Sequence, residues 1–389
     1  MIIQRNLYTE IQPYLRSKQA IVITGMRRVG KTTLLKSIFD ATTSANKLFL
    51  DLENIVDQSL FAEEDYEQIK ASFQGKGIDF SKKVYLFLDE IQYVKNIPSV
   101  VKYLGDHNDI KFFLTGSASF YLKNVFSESL AGRKYIFELY PFLFDEFLQL
   151  KGSAFKVPRA RTGVTRPVYT QLKGLYEEYI QFGGFPEVIK TARTEEKGKV
   201  LEDIISSYVQ LEVRGLSDFR KGDVIQDLIF FLAGQVGQKL DVLKLSSLMG
   251  VARQTMEEYL SFLEGTYLIT RIKPYAKSRA VEIRKVRKMY FCDSGLVNHL
   301  SRVSIGAAFE QAVFQSLQPK GAVQYYQKKS GAEIDFIIDK KRAYEVKTTP
   351  REHDAKRLRA LSAEIGMKSR ALVSKEYTPV KDVIYGFQL

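Results

Sequence analysis

Residues 20–33 read AIVITGMRRVGKTT, and the fold turns on how this stretch is understood. Ala20 to Thr24 is an apolar, β-branched run that stops at glycine, as a buried strand does. Beyond Lys31 the spacing of Leu34, Leu35 and Ile38 puts all three on one face of a helix. Between them, residues 25–32 (GMRRVGKT) match G-x-x-x-x-G-K-[ST] in the strand–loop–helix setting that a phosphate-binding loop requires. Glycines let backbone N–H groups converge on phosphate oxygens, the lysine reaches the β and γ phosphates, and the threonine hydroxyl can hold Mg²⁺. The candidate nucleotide-binding residues are therefore Gly25, Arg28, Val29, Gly30, Lys31, Thr32 and Thr33.

Outward from this loop, residues 47–52 (KLFLDL), 84–88 (VYLFL) and 111–115 (KFFLT) predict three more strands, separated by helical or polar stretches. Strands of unbroken apolar character alternating with helices indicate an α/β fold with a parallel sheet covered on both faces. Residues 85–90 (YLFLDE) place Asp89 at the exit of a buried strand, where it can join Thr32 around Mg²⁺. Glu90 beside it is placed to polarise an attacking water. Residues 114–119 (LTGSAS) end the next strand, and Thr115 or Ser117, with Ser117 preferred, is suited to sense the γ phosphate or the water. Arg133 can stabilise the transferring phosphoryl group in cis or from a neighbouring subunit, the second case implying a homo-oligomer. Lys31, Glu90, Ser117 and Arg133 form the candidate catalytic set.

The chain has 389 residues, enough for two or three domains at roughly 150 residues each. With 58 Lys and Arg against 45 Asp and Glu the net charge is +13, which favours polyanionic partners, DNA above all. A single cysteine, Cys292, cannot form an internal disulfide. The opening lacks the apolar stretch of a signal peptide, and no run approaches the roughly 20 residues that span a bilayer, so a cytoplasmic protein with no membrane partner is expected.

The pattern predicts a P-loop NTPase core over residues 1–150, then a linker and helical lid over 151–222. The linker carries five basic residues and no acid, and the lid is broken by FGGFP at 182–186. Residues 223–285 read as three helices and a hairpin, a winged helix. There Arg253, Gln254 and Thr255 open a candidate recognition helix. The stretch from 271 to 288 holds eight basic residues, among them Lys285, Arg287 and Lys288, and suits a wing touching phosphates. Residues 286–389 read as a small α/β unit in which Glu310 lies on a helix, Asp335 on a strand, and Glu345 and Lys347 two apart on the next strand. Glu310, Asp335 and Glu345 are candidate Mg²⁺ ligands, with Lys347 positioned to stabilise developing negative charge.

Taken together, GMRRVGKTT, LFLDEIQ, LTGSAS, LAGRKYIFELYPFLFDEFL, FGGFPEV, KSGAEIDF and YEVKT give a chain that resembles the prokaryotic AAA-type P-loop ATPases with a C-terminal domain of unknown function. That domain has a restriction-endonuclease-like end. The resemblance spans essentially the whole sequence and implies ATP and Mg²⁺ as cofactors, with Lys31, Thr32, Asp89 and Glu90 in the usual P-loop roles. Glu310, Asp335, Glu345 and Lys347 are similar in order to the PD-(D/E)xK nuclease pattern, except that Ile334 stands where a proline precedes the aspartate. The expected function is ATP binding and hydrolysis coupled to action on nucleic acid. The rival is a nucleotide-state switch that controls a protein partner and carries an inactive nuclease-like scaffold. A small-molecule kinase is a third reading, which the extra basic domains disfavour.

Overall fold

Strands with no polar side to offer water must be covered on both faces, and this decides the first layer of the structure. The computed structural model describes every residue except 1–2, 64, 118–131, 160–162, 214–221, 277, 279–281 and 283–285. The chain divides into two units, residues 1–140 with 265–267, and residues 141–264 with 268–389.

In the first unit, β1 (Ala20–Thr24), β2 (Lys47–Asp51), β3 (Val84–Asp89), β4 (Ile110–Gly116) and β5 (Lys134–Glu138) form one sheet in the order β2-β3-β4-β1-β5. Every pairing is parallel. β1 and β4 are buried along their whole length. Leu50, Leu86, Leu88 and Leu114 pack with Val100, Val101 and Leu104 of the helix Ile97–His107. On the other face Phe87 stacks on Phe113 at 4.4 Å. The register sets Asp51 opposite Asp89 and Thr24 opposite Gly116, so the C-terminal strand ends gather at one edge of the sheet. Four strands lie where their apolar runs predict. β5 does not read as a buried strand because only an edge position is asked of it, and its residues are half-buried or exposed.

The second unit is built on a mixed sheet in the order β12-β11-β10-β9-β8-β6-β7. Its strands are β6 (Ile269–Pro274), β7 (Lys288–Phe291), β8 (Val323–Gln327), β9 (Glu333–Ile338), β10 (Arg342–Lys347), β11 (Ser369–Ser374) and β12 (Val383–Tyr385). The helices Gly222–Gly234, Val242–Leu248 and Arg253–Gly265 precede the antiparallel pair β6–β7. That pair is not separate from the tail, because β6 also pairs in parallel with β8.

The helices expected as a lid on the nucleotide unit belong instead to the second unit. Aromatic packing explains the change: Tyr169 and Tyr176 of the helix Arg166–Phe182 meet Tyr385 and Phe387 near the C-terminus. The FGGFP break has an equally concrete cause. Asp293 is fully buried and accepts hydrogen bonds from the backbone N–H of Gly184 at 2.7 Å and Gly295 at 2.9 Å and from the Gln315 amide at 3.1 Å. A Cβ on Gly183 would lie 1.9 Å from the Asp293 carboxylate, and one on Gly184 2.2 Å from the Phe142 carbonyl, so neither position admits a side chain.

Candidate functional site

The phosphate loop is shaped by backbone conformations that few residues tolerate. Gly25 has φ +153°, and a Cβ there would stand 2.1 Å from the Leu139 carbonyl oxygen. Gly30 is left-handed at φ +98° and leads into the helix Lys31–Ala41. Arg5, a residue that sequence reading missed, ties the loop down from the N-terminal side. Its guanidinium is buried and donates to the Val29 carbonyl at 2.8 Å and the Tyr140 carbonyl at 2.7 Å. Lys31 is buried, with Nζ 3.1 Å from the carbonyls of both Gly25 and Met26, which holds its charge at the centre of the loop. Thr32 starts the helix half-buried and Thr33 beside it is exposed.

Across from the loop, Asp89 ends β3 fully buried. Burial pushes its carboxyl above the usual range, against hydrogen bonds from Thr115 and Thr32 that favour the charged form, while Glu90 and Asp51 add to the rise. The Thr32 hydroxyl of the loop is thus near enough to influence Asp89 of β3, and Asp51 supplies a third oxygen-bearing group nearby. A hydroxyl and carboxylates, with no nitrogen or sulfur donor, are the hard ligands Mg²⁺ prefers, so the residues present fit the ion. Asp51 is legible only as the single acid of KLFLDL, a signal too weak to single out.

The turn after β3 carries the other candidates. Glu90 is left-handed at φ +51°, a conformation that costs an L-residue about 1–2 kcal/mol. Its backbone N–H donates to Thr115 Oγ1 at 3.1 Å, and its carboxylate accepts from the Gln92 amide at 2.5 Å. The same amide donates to Ser117 Oγ at 3.1 Å. Thr115 is therefore the residue that touches Asp89, while Ser117 reaches Glu90 through Gln92.

Arg133 is placed at the wrong edge for a role in cis. Its carbonyl accepts from Ala20 N at 2.8 Å, at the start of β1, whereas the phosphate loop follows the end of that strand. Five extended residues separate the two edges, roughly 16 Å at 3.3 Å per residue. The Arg133 guanidinium pairs instead with exposed Asp106.

In the second unit the expected residues come near one another but not as drawn. Tyr290 donates to Glu310 at 2.6 Å, Asp335 accepts from the Val346 N–H at 2.7 Å, and Lys347 Nζ lies 2.8 Å from Glu345, on the same face of β10. Arg357 also pairs with Glu345, whose second oxygen, Oε2, is buried without a partner among the described residues. Burial first, and then the charge of Asp335, push both Glu310 and Glu345 well above the usual carboxylate range. Among the described residues, no group of three or more His, Cys, Asp or Glu is arranged to hold a metal ion, so the expected set of Glu310, Asp335 and Glu345 is not assembled. Tyr290 and Lys288 engage Glu310, the Val346 N–H engages Asp335, and Lys347 and Arg357 share one oxygen of Glu345.

Lys288 is the clearest correction. Expected on a DNA-facing wing, it is buried, pairs with Glu333 and lies 3.7 Å from Glu310. Burial opposes its charge, but Glu310 and Glu333 outweigh that and hold the ammonium above its ordinary range. Arg271, from the same basic stretch, is likewise internal, paired with Glu257 at 2.8 Å and Glu264 at 2.7 Å. Arg287 is half-buried, and Lys285 lies outside the described residues. Arg253 and Gln254 are exposed at the start of their helix, with Thr255 half-buried behind them.

A parallel sheet whose strand ends gather a glycine loop, its lysine and threonine, and an Asp–Glu pair defines a P-loop ATPase unit. Residues 17–148 match the family model of the AAA domain. Residues 173–305 and 305–385 match two domains of unknown function, DUF8612 and DUF4143. An uncharacterised protein of Haemophilus influenzae is 28% identical over 353 residues, 87% of this chain and 84% of its own. One of Methanocaldococcus jannaschii is 27% identical over 329 residues, 82% of this chain and 71% of its own. Among solved structures, a Walker-type ATPase of Pyrococcus abyssi is similar at a TM-score of 0.46 and 14% identity, over 77% of this chain and 96% of that one. The ORC1 protein of Aeropyrum pernix, solved in complex with DNA, has a TM-score of 0.33 at 13% identity, over 77% and 93%. No described helix is long and apolar enough to cross a membrane.

Proposed function

We propose that this protein hydrolyses ATP at the first unit and uses the second unit to engage nucleic acid. The observation that carries the ATPase half is the glycine loop itself, with Gly25 and Gly30 in their required conformations and Lys31 buried at its centre, facing the strand end where Asp89 is buried near Thr32. Bound Mg²⁺ would neutralise charge on the phosphates, with Thr32 and Asp89 as its protein ligands. Lys31 would turn from the loop carbonyls to the phosphate oxygens, and Glu90 would orient the water and take up its proton. Support for the nucleic-acid half is the net charge of +13 together with the exposed Arg253 and Gln254, on the last of three helices followed by the β6–β7 pair, as in a winged helix.

Gripping fits the tail better than cutting. Mg²⁺ would have to displace Lys288 or Arg357 before it could gather the carboxylates.

The test measures phosphate release and strand cleavage together, with ATP, Mg²⁺ or Mn²⁺ and several DNA forms. Lys31→Ala should abolish turnover, and Glu90→Gln should keep ATP bound while slowing hydrolysis. Turnover at the wild-type rate in Lys31→Ala would refute the site. DNA binding that is absent at low salt would hand the second unit to a protein partner.

A further inference from the structure

Gln92 follows Glu90 by two residues, in the short turn that ends β3, and no chemistry assigned so far uses it. Its side chain is 7% exposed and bridges two candidate catalytic residues, donating from Nε2 to Glu90 at 2.5 Å and to Ser117 at 3.1 Å. The orientation is set by chemistry. A carboxylate only accepts, so the NH₂ end must face Glu90. Turning the NH₂ end that way leaves the amide oxygen, Oε1, buried without a partner among the described residues. An orphaned buried acceptor is a real cost, and the neighbouring Glu90 is itself held in a left-handed conformation. Two unfavourable local choices in three residues persist only where the surroundings impose them, and such places cluster at functional sites.

We propose that Gln92 is a positioning residue for ATP hydrolysis: its amide fixes the Glu90 carboxylate toward the attacking water and links it to Ser117 at the end of β4. Gln92 itself touches neither water nor phosphate. It aims the group that does, and Ser117 gives strand β4 a way to influence that aim. A displacement of about 1 Å in a catalytic group costs on the order of a hundredfold in rate, so losing the clamp should be read in turnover and not in nucleotide affinity. The inference rests on the ATPase reading of this same site.

The experiment is a double-mutant cycle on the full chain, with Mg-ATP hydrolysis measured across substrate concentrations. Gln92→Met keeps the length and bulk of the side chain and removes the donor, and Gln92→Ala is the second variant should methionine fail to pack. The expected result is a kcat lowered about 10- to 100-fold with KM within about twofold. In a Glu90→Gln background the same change should cost less than about twofold, because the group being aimed is already disabled. Ser117→Ala should show a smaller loss that is not additive with Gln92→Met. Equal fold-losses in both backgrounds, or a change in KM alone, would overturn the positioning role. Absence of turnover in the wild type would instead overturn the ATPase reading, and the inference with it.

Discussion

Replacing Lys288 by methionine separates its observed place from the one its sequence context suggests. The ammonium is buried between Glu310 and Glu333, and removing one partner of a buried ion pair costs roughly 3–5 kcal/mol because the opposite charge is left behind. Here the two carboxylates keep 24% and 22% of their side-chain surface exposed, so water recovers part of the loss and the expected cost is about 2–3 kcal/mol. For a unit of this size each kcal/mol moves the melting temperature by roughly 2–4 °C, giving a drop of roughly 4–12 °C by calorimetry or circular dichroism. The pH dependence has a definite sign. Glu310 already titrates above its ordinary range, and loss of the cation pushes it further up, so at lower pH it becomes neutral and the deficit of the variant shrinks. Lys288→Arg should recover most of the stability by keeping the charge. A shift under about 1 °C, together with weaker DNA binding and a salt slope flattened by up to about 0.9, would refute this placement and return Lys288 to a phosphate-contacting wing.

Gly25→Ala should destroy nucleotide binding while leaving most of the sheet intact, since its Cβ would sit 2.1 Å from the Leu139 oxygen; near-normal affinity in a fluorescent-nucleotide titration would contradict the close approach. Arg133→Ala should leave kcat unaltered at concentrations where the chain is monomeric, and a loss seen only at high concentration would assign it a role between subunits. Glu376 is pushed down to about 2: burial alone would raise it, but Lys375, Lys173 and Tyr169 outweigh that. Its stabilisation is therefore full above the unfolded value of about 4.5 and lost as pH falls toward 2. With its partial exposure discounted, Glu376→Gln should cost about 1–2 kcal/mol at pH 7 in urea unfolding, and a gap that did not close on acidification would disprove the assignment.

The sequence by itself determined the nucleotide unit, because its signals are local. A strand that must be buried on both faces is apolar throughout, and a loop that approaches phosphate needs glycines at set positions, so AIVITGMRRVGKTT and YLFLDE each read out their own structure. It also identified the order of Glu310, Asp335, Glu345 and Lys347, since strand alternation puts the last two on one face. What only the tertiary structure decided depends on partners distant along the chain. Asp51 faces Asp89 through sheet order, Arg5 holds the loop from 24 residues away, and Arg133 lies at the far edge of a strand it does not belong to. Lys288 and Arg271 look like surface charges in a basic stretch until the carboxylates that surround them are brought in from other elements. Charge is written in the sequence, but whether that charge faces water or an internal counter-ion is settled by packing, because burial of an ammonium is tolerated only where folding supplies its partner.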